Sequence, residues 1–195
     1  MRLNVYLISH PIIKHLATQF SYFTSQQDSI DSSQHIAHQL HVLLIYEVAK
    51  RWIKTDQIYI QNIDCIKELC IFDSKESYLI MANLMTCGNI TVDLNHILPK
   101  VDIQHINFSK NNFLNTNYYC LEDHIINIMK EKKIIIIDHH LKHSMIELLD
   151  YLILQNKIEI ENIKVICIEC HNNILEKIGS KYSLLKIYTT KIYNN

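Results

Sequence analysis

The chain has 195 residues, 48% of them hydrophobic, and its charges balance to −1 with histidine neutral. This composition excludes an intrinsically disordered chain, gives no electrostatic footprint for nucleic acid and contains no apolar run approaching a membrane span. Glycine occurs only at Gly88 and Gly179, against an average of about 7%, which excludes glycine-rich phosphate loops, Rossmann turns and nucleophile elbows.

In chain order, the segment Met1 to Val5 is polar and soon gives way to His10 and Pro11, which argues against a secretory leader. After Pro11, residues Ile12 to Phe23 read as a helix. Ser32 or Ser33 is placed to cap a second, longer helix through Ile53, with apolar positions at Ile36, Leu40, Leu43, Leu44 and Ala49. Gln57–Ile60 and Leu69–Phe72 read as short strands, and Tyr78–Leu84 as a buried one. Thr86–Ile97 reads as a helix that ends before Pro99, Val101–Asn107 alternates like a strand, Ser109–Tyr118 is an Asn-rich loop and Leu121–Lys130 is a helix. Ile134–Ile137 is the clearest buried strand, a β-branched run closed by Asp138. Ser144–Gln155 is an amphipathic helix, Lys164–Ile168 a buried strand, Asn172–Ile178 a helix and Leu184–Thr189 a last strand.

Strands alternating with helices imply βαβ crossovers and a parallel sheet, hence an α/β fold. The length suits one domain over 1–195, with a helical N-terminal segment 1–55 and a core sheet over 56–190. Ligands in such sheets sit beyond the carboxyl ends of the strands, so the residues just after Leu84, Ile137 and Ile168 are the places for a site.

Three sets of residues carry candidate chemistry. Asp138, His139 and His140 come at the end of a buried strand, as a strand-end pair of metal ligands would, and this triplet is similar to the signature of DHH phosphoesterases. That family also uses an Asp-x-Asp, which this chain lacks; Asp28 and Asp31 lie in a polar segment. Cys167, Cys170 and His171 have the spacing of a haem attachment site, but Cys167 falls inside a buried strand, so no haem is expected and a buried structural thiol is the simpler reading. With six cysteines and no leader, the thiols read as reduced. His35, His38 and His41 recur at three-residue steps along the second helix and read as a broad solvated face, with metal binding by two of them as the alternative. His10 and His15 read as cap or surface residues.

Several segments taken together resemble the uracil phosphoribosyltransferase family. These are His10-Pro11-Ile12-Ile13-Lys14-His15, then Leu43-Leu44-Ile45-Tyr46-Glu47-Val48, then Ile134–Asp138 with a helix after it, and finally Ile163-Lys164-Val165 and Ile187-Tyr188-Thr189-Thr190. The similarity covers nearly the whole chain and is greatest to plastid-encoded algal homologues. It implies a type I phosphoribosyltransferase sheet, transfer of phosphoribose from PRPP to uracil with Mg²⁺ on the pyrophosphate, and self-association into a dimer. It also implies a protein of the plastid stroma and gives Tyr46 and Glu47 a supporting role at the sheet edge, while the balanced charge and the lack of a long apolar run argue for a soluble protein with no nucleic acid and no membrane as partners.

The family pattern is broken at several places. Met85 stands at the position of the pyrophosphate-binding Arg and Cys87 at that of a Gly, and Met offers neither charge nor donor. In the stretch matching the PRPP loop, Asp138 is kept, His143 replaces a Thr and Ser144-Met145 replace a glycine pair. The loop between Phe108 and Leu121 lacks the family's Arg and Pro, and the base-recognising segment that lies past the family's last strand has no counterpart before Asn195. These departures weigh against PRPP and uracil as ligands. The expectation is a homologue in which catalysis is lost or much reduced and a binding or assembly role persists. The first alternative is a working, divergent enzyme of nucleotide salvage. It would bind PRPP through Asp138, Lys142, His143 and Ser144, with Mg²⁺, and Asp138 is the best catalytic candidate. The second is a metal-dependent phosphoesterase centred on Asp138, His139 and His140.

Overall fold

The computed structural model describes residues 3–25, 30–63, 65–83, 87, 90–106 and 129–194. Its centre is a six-stranded sheet in which every neighbouring pair is parallel. The elements are β1 (Asn4–Leu7), α1 (Pro11–Ser25), α2 (Ile30–Ala49), β2 (Thr55–Gln61), β3 (Ile66–Phe72), β4 (Tyr78–Ala82), α3 (Ile90–Ile97), β5 (Val101–His105), β6 (Lys133–His140), α4 (His143–Leu149), β7 (Ile163–His171), α5 (Asn172–Lys181) and β8 (Lys186–Tyr193). The sheet order is β1-β8-β7-β6-β4-β5. The chain leaves β4 toward β5 and returns to pair β6 on the other side of β4, so the crevice between β4 and β6 is the topological switch point.

Isoleucine explains the middle of the sheet. Successive strand residues face opposite sides, and both sides are buried here. Ile134 and Ile136 of β6 pack with Met145, Leu148 and Leu149 of α4 and with Leu175 and Ile178 of α5. Ile135 and Ile137 pack with Leu44, Ile45 and Val48 of α2 and with Ile90 and Leu94 of α3. A strand buried on both faces reads as a continuous apolar run, which is why no polar alternation interrupts it. A third layer, built on Ile13, Ala17 and Phe20 of α1, covers α2 and Ile168 of β7.

The structure departs from the sequence expectations in defined places. Ser32 and Ser33 lie inside α2, which begins at Ile30, so neither is its cap, and α2 stops at Ala49 rather than Ile53. β2 and β3 form a separate antiparallel ribbon, exposed along its whole length, and take no part in the core sheet. Asp138 does not close β6: the strand continues through His140, with Asp138 opposite Cys167 and His140 opposite Glu169. The helix expected to reach Gln155 changes to a π-helical turn over Asp150–Gln155. β1, a strand that the sequence pattern does not announce, pairs with β8 at the sheet edge. The expected loop Ser109–Tyr118 and most of the helix Leu121–Lys130 lie outside the described residues. Among the described residues no helix is long and apolar enough to cross a membrane.

Gly179 has a packing role. A Cβ built there would come within 3.1 Å of Leu3 Cβ, so the glycine lets α5 lie close against the chain just before β1.

The amino ends of the strands carry a buried ion cluster. Lys133 Nζ donates to both Glu76 carboxylate oxygens at 2.8 and 2.7 Å and to the Trp52 carbonyl at 2.8 Å. The Tyr78 hydroxyl donates to Glu76 at 2.6 Å. Lys133 and Lys164 also lie over the Trp52 ring, 5.3 and 4.6 Å from its centroid.

Candidate functional site

The opposite, carboxyl ends of β4 and β6 hold the candidate chemistry. Asp138 is buried and turned along its own strand: Oδ1 accepts the His139 N–H at 2.8 Å, whereas Oδ2 has no hydrogen-bond partner among the described residues. Burial pushes its carboxyl up to about 6, against the opposing pull of Lys142 and of the His139 and His140 N–H groups. A carboxyl held near neutrality at a strand end is the kind of group that active sites keep despite its cost.

The connection from β6 to α4 is short. Leu141 and Lys142 alone separate them, the Leu141 N–H donates to the Glu169 carbonyl at 3.1 Å, and Lys142 precedes the helix with an extended backbone (φ −118°, ψ 167°). Among the described residues positive φ occurs only at Lys100 and Lys157. The connection therefore lacks the left-handed residue that gathers N–H groups into an anion nest. Lys142 and His143 are exposed, Met145 is buried, and Ser144 Oγ is buried with no hydrogen-bond partner among the described residues.

Strand alternation separates Asp138 from His139. Asp138 lies opposite Cys167, in the layer of α4 and α5, while the His139 ring stacks on His41 of α2, with centroids 5.1 Å apart and planes at 21°. His140 turns its Nδ1 to Glu169 Oε2 at 3.5 Å. The Asp138, His139 and His140 set therefore does not converge on one ion, and the phosphoesterase reading loses its ligand geometry. Burial holds His140 below the usual imidazole value despite Glu169.

Two residues with other expected roles meet His139. His41 is completely buried, which corrects the solvated face expected for His35, His38 and His41. Positions 41, 44, 45 and 48 have the spacing of a core stripe, a signal present in the sequence. Burial first, then the neighbouring His139, pull His41 down to about 3. Neither of its ring nitrogens has a hydrogen-bond partner in good geometry among the described residues; the Asp138 backbone favours the protonated ring from outside that geometry. Cys87, which the family pattern marks only as a lost glycine, is buried after β4, and its sulfur lies within 4.8 Å of ligand nitrogens of both His41 and His139. His38, one turn away, gives Nε2 to Asp93 of α3 at 2.8 Å.

Glu169 of β7, which no sequence motif marks, ties α1 to the sheet. It accepts from Ser21 and, at 2.9 Å, from the Tyr193 hydroxyl. Cys167 and Cys170 are both buried, Cys167 holding its proton against the Cys170 sulfur, so its thiol is raised and that of Cys170 lowered. His10 is a cap, its Nδ1 accepting the Ile12 N–H at 3.3 Å, and His15 is exposed. Tyr46 is exposed and Glu47 lies 3.9 Å from Lys50. Leu84, Met85, Thr86, Gly88 and the loop from Phe108 to Leu121 lie outside the described residues.

The chain is similar to known proteins over nearly its whole length. The model of the family described as uracil phosphoribosyltransferase matches residues 7–195. A uracil phosphoribosyltransferase homolog of Porphyra purpurea is 26% identical over 98% of this chain and 89% of its own length. A homolog with the same description in Pyropia yezoensis is 25% identical over 100% and 91%. Among solved structures, the AQ2163 protein of Aquifex aeolicus superposes with a TM-score of 0.73 at 17% identity, covering 98% of this chain and 88% of that one, which speaks for the fold alone. With an all-parallel sheet, a switch point between β4 and β6 and a family match over nearly its whole length, the chain belongs to the uracil phosphoribosyltransferase family.

Proposed function

We propose that this chain is a member of the uracil phosphoribosyltransferase family in which phosphoribosyl transfer is lost or much reduced and a binding or assembly role remains. The observation that carries the reading is the direct passage from β6 to α4. Two residues without positive φ replace a phosphate cradle, and buried Met145 occupies a place where the family has glycine. Lys142 attracts an anion by charge, with exposed His143 beside it, but without converging N–H groups to fix it.

A second reading, a working divergent enzyme, draws on Asp138. A Mg²⁺ diphosphate site needs one or two carboxylates beside the substrate's own oxygens and water, and Asp138 Oδ2 fits as that single protein oxygen. Glu169 does not, because its oxygens face Ser21, Tyr193 and His140. When bound, Mg²⁺ would neutralise pyrophosphate. Asp138 would orient that ion, Lys142 would add positive charge beside it, and His143 would offer a ring nitrogen.

Calorimetric titration with PRPP and Mg²⁺, with Asp138→Asn as control, separates the two. Absence of binding heat at millimolar PRPP in a cooperatively folded protein is expected. Saturable one-site binding abolished by Asp138→Asn would establish the second reading instead.

We further propose that the chain is a dimer of the plastid stroma. The ribbon supports self-association: Ile58, Ile60, Leu69 and Ile71 share one exposed face, and two strands alone are marginal in water. Sedimentation equilibrium is expected to give twice the chain mass, and Ile58→Asp with Ile71→Asp to give a folded monomer. A wild-type monomer at high concentration would refute the dimer.

A further inference from the structure

We infer that His41, Cys87 and His139 form a binding site for a borderline-soft divalent ion, zinc first, at the switch point between β4 and β6. The three residues come from separate elements: α2, the segment after β4, and the end of β6. Their ligand atoms, two imidazole nitrogens and a sulfur, all lie within 4.8 Å of one another. Such a convergence of donors far apart in sequence is fixed by the fold and owes nothing to local periodicity.

The donor set selects the ion. Imidazole and thiolate suit zinc and its neighbours, whereas Mg²⁺ and Ca²⁺ require oxygen, which none of the three supplies. Zinc takes nitrogen at about 2.0–2.1 Å and sulfur at about 2.3 Å, so bound ligands would sit roughly 3.5 Å apart. The cluster needs to contract by about 1 Å, and the stacked His41 and His139 rings need to turn out of their near-parallel planes so that both lone pairs meet at the ion, a change of side-chain torsions on binding.

His41 supplies an independent observation. Its ring is fully buried, with no hydrogen-bond partner in good geometry at either nitrogen among the described residues. Leaving a buried polar group unsatisfied is costly, and a metal bond to a nitrogen lone pair removes that cost. Burial also keeps the ring neutral, the form in which imidazole binds metals. Binding would displace the Cys87 thiol proton to solvent and leave a thiolate–zinc bond. Three protein ligands leave a fourth position for water or an incoming anion. The inference rests on the placement of these three residues and is drawn from neither reading of the catalytic history.

The test is optical titration of the metal-free, reduced protein with Co²⁺, then competition with Zn²⁺. One equivalent is expected to produce tetrahedral d–d bands and a thiolate-to-cobalt charge-transfer band. Cys87→Ser is expected to remove the charge-transfer band and weaken Zn²⁺ binding at least about 100-fold, since loss of supporting contacts to a ligand already costs 10–100-fold. His41→Gln, with its fold checked by circular dichroism, is expected to weaken binding comparably, whereas Cys167→Ser with Cys170→Ser leaves it intact. Cys87→Ser decides the matter if His41→Gln does not fold. A charge-transfer band that survives Cys87→Ser, a band lost with Cys167 and Cys170, or no binding by the folded protein would each overturn the site.

Discussion

The two ends of the parallel sheet are built on opposite terms. At the amino end, Glu76, Lys133, Tyr78 and the Trp52 carbonyl satisfy one another in a closed set of hydrogen bonds. At the carboxyl end, His41, Asp138 Oδ2 and Ser144 Oγ are buried without such partners among the described residues. Both ends bury polar groups; the carboxyl end holds Glu169 in structural bonds as well, but leaves these three without them. Polar groups left unsatisfied in the same protein that satisfies others so fully point to retention for a ligand, past or present.

Mutations at the two ends should therefore differ in sign, with the largest effect at the amino end. Glu76→Ala strands the Lys133 ammonium and should cost about 2–4 kcal/mol in urea denaturation at pH 7, below the full value for a wholly buried pair because Lys133 keeps some exposure. Adding Lys133→Met should return much of that loss; an additive double mutant would break the idea of a closed set.

Asp138→Asn should do the reverse. The carboxyl is raised from 3.8 to about 6, so the folded state binds the proton more tightly than the unfolded chain. Its contribution is favourable below pH 4 and is lost as pH rises through 6. In chelator-treated protein at pH 7.5 the amide should stabilise by about 1–3 kcal/mol, and the difference should vanish near pH 4. Destabilisation at pH 7.5 would give Asp138 a structural role and erase the contrast.

His41→Leu is the subtler case. The imidazole is lowered from 6.5 to about 3, so the unfolded chain takes up a proton that the native state refuses. Stability present above pH 6.5 is lost as pH falls toward 3. Metal-free wild type should lose about 1–2 kcal/mol between pH 7.5 and pH 5 through this group, and His41→Leu should flatten that slope by the same amount. An unchanged slope would mean that His41 is reached by water.

The legible parts of the fold are those where one periodicity acts alone. Ile134–Ile137 and Tyr78–Ala82 announce themselves because both faces of the sheet are covered. β1 does not, since Asn4-Val5-Tyr6-Leu7 is a short edge strand whose partner comes from the far end of the chain. The strand extensions through His140 and His171 are also hidden, because polar residues there are held by neighbouring strands. At the site, Asp138 is legible from its place after a buried run. His41 is not, because its three-residue spacing to His35 and His38 suggests a polar face and masks its spacing to Leu44, Ile45 and Val48. Cys87 is hidden because the family pattern defines its position by a missing glycine and says nothing of the thiol it offers. Glu169 carries no local pattern, and its partners on α1, β6 and β8 meet only in the folded chain.

The edge pairing of Asn4 with Lys186 has a consequence for how the molecule is made. Among the described strands, β1 comes first in the chain and its sheet partner, β8, comes last. Until β8 is made, β1 lacks its partner among the described strands, and β7 lacks a neighbour on the side that β8 fills. The sheet therefore closes in a single late event. The same pairing brings β1 and β8 side by side, so a circular permutant joined there by a linker long enough to cross from one end of the strands to the other would keep the sheet while letting β1 and β8 emerge together.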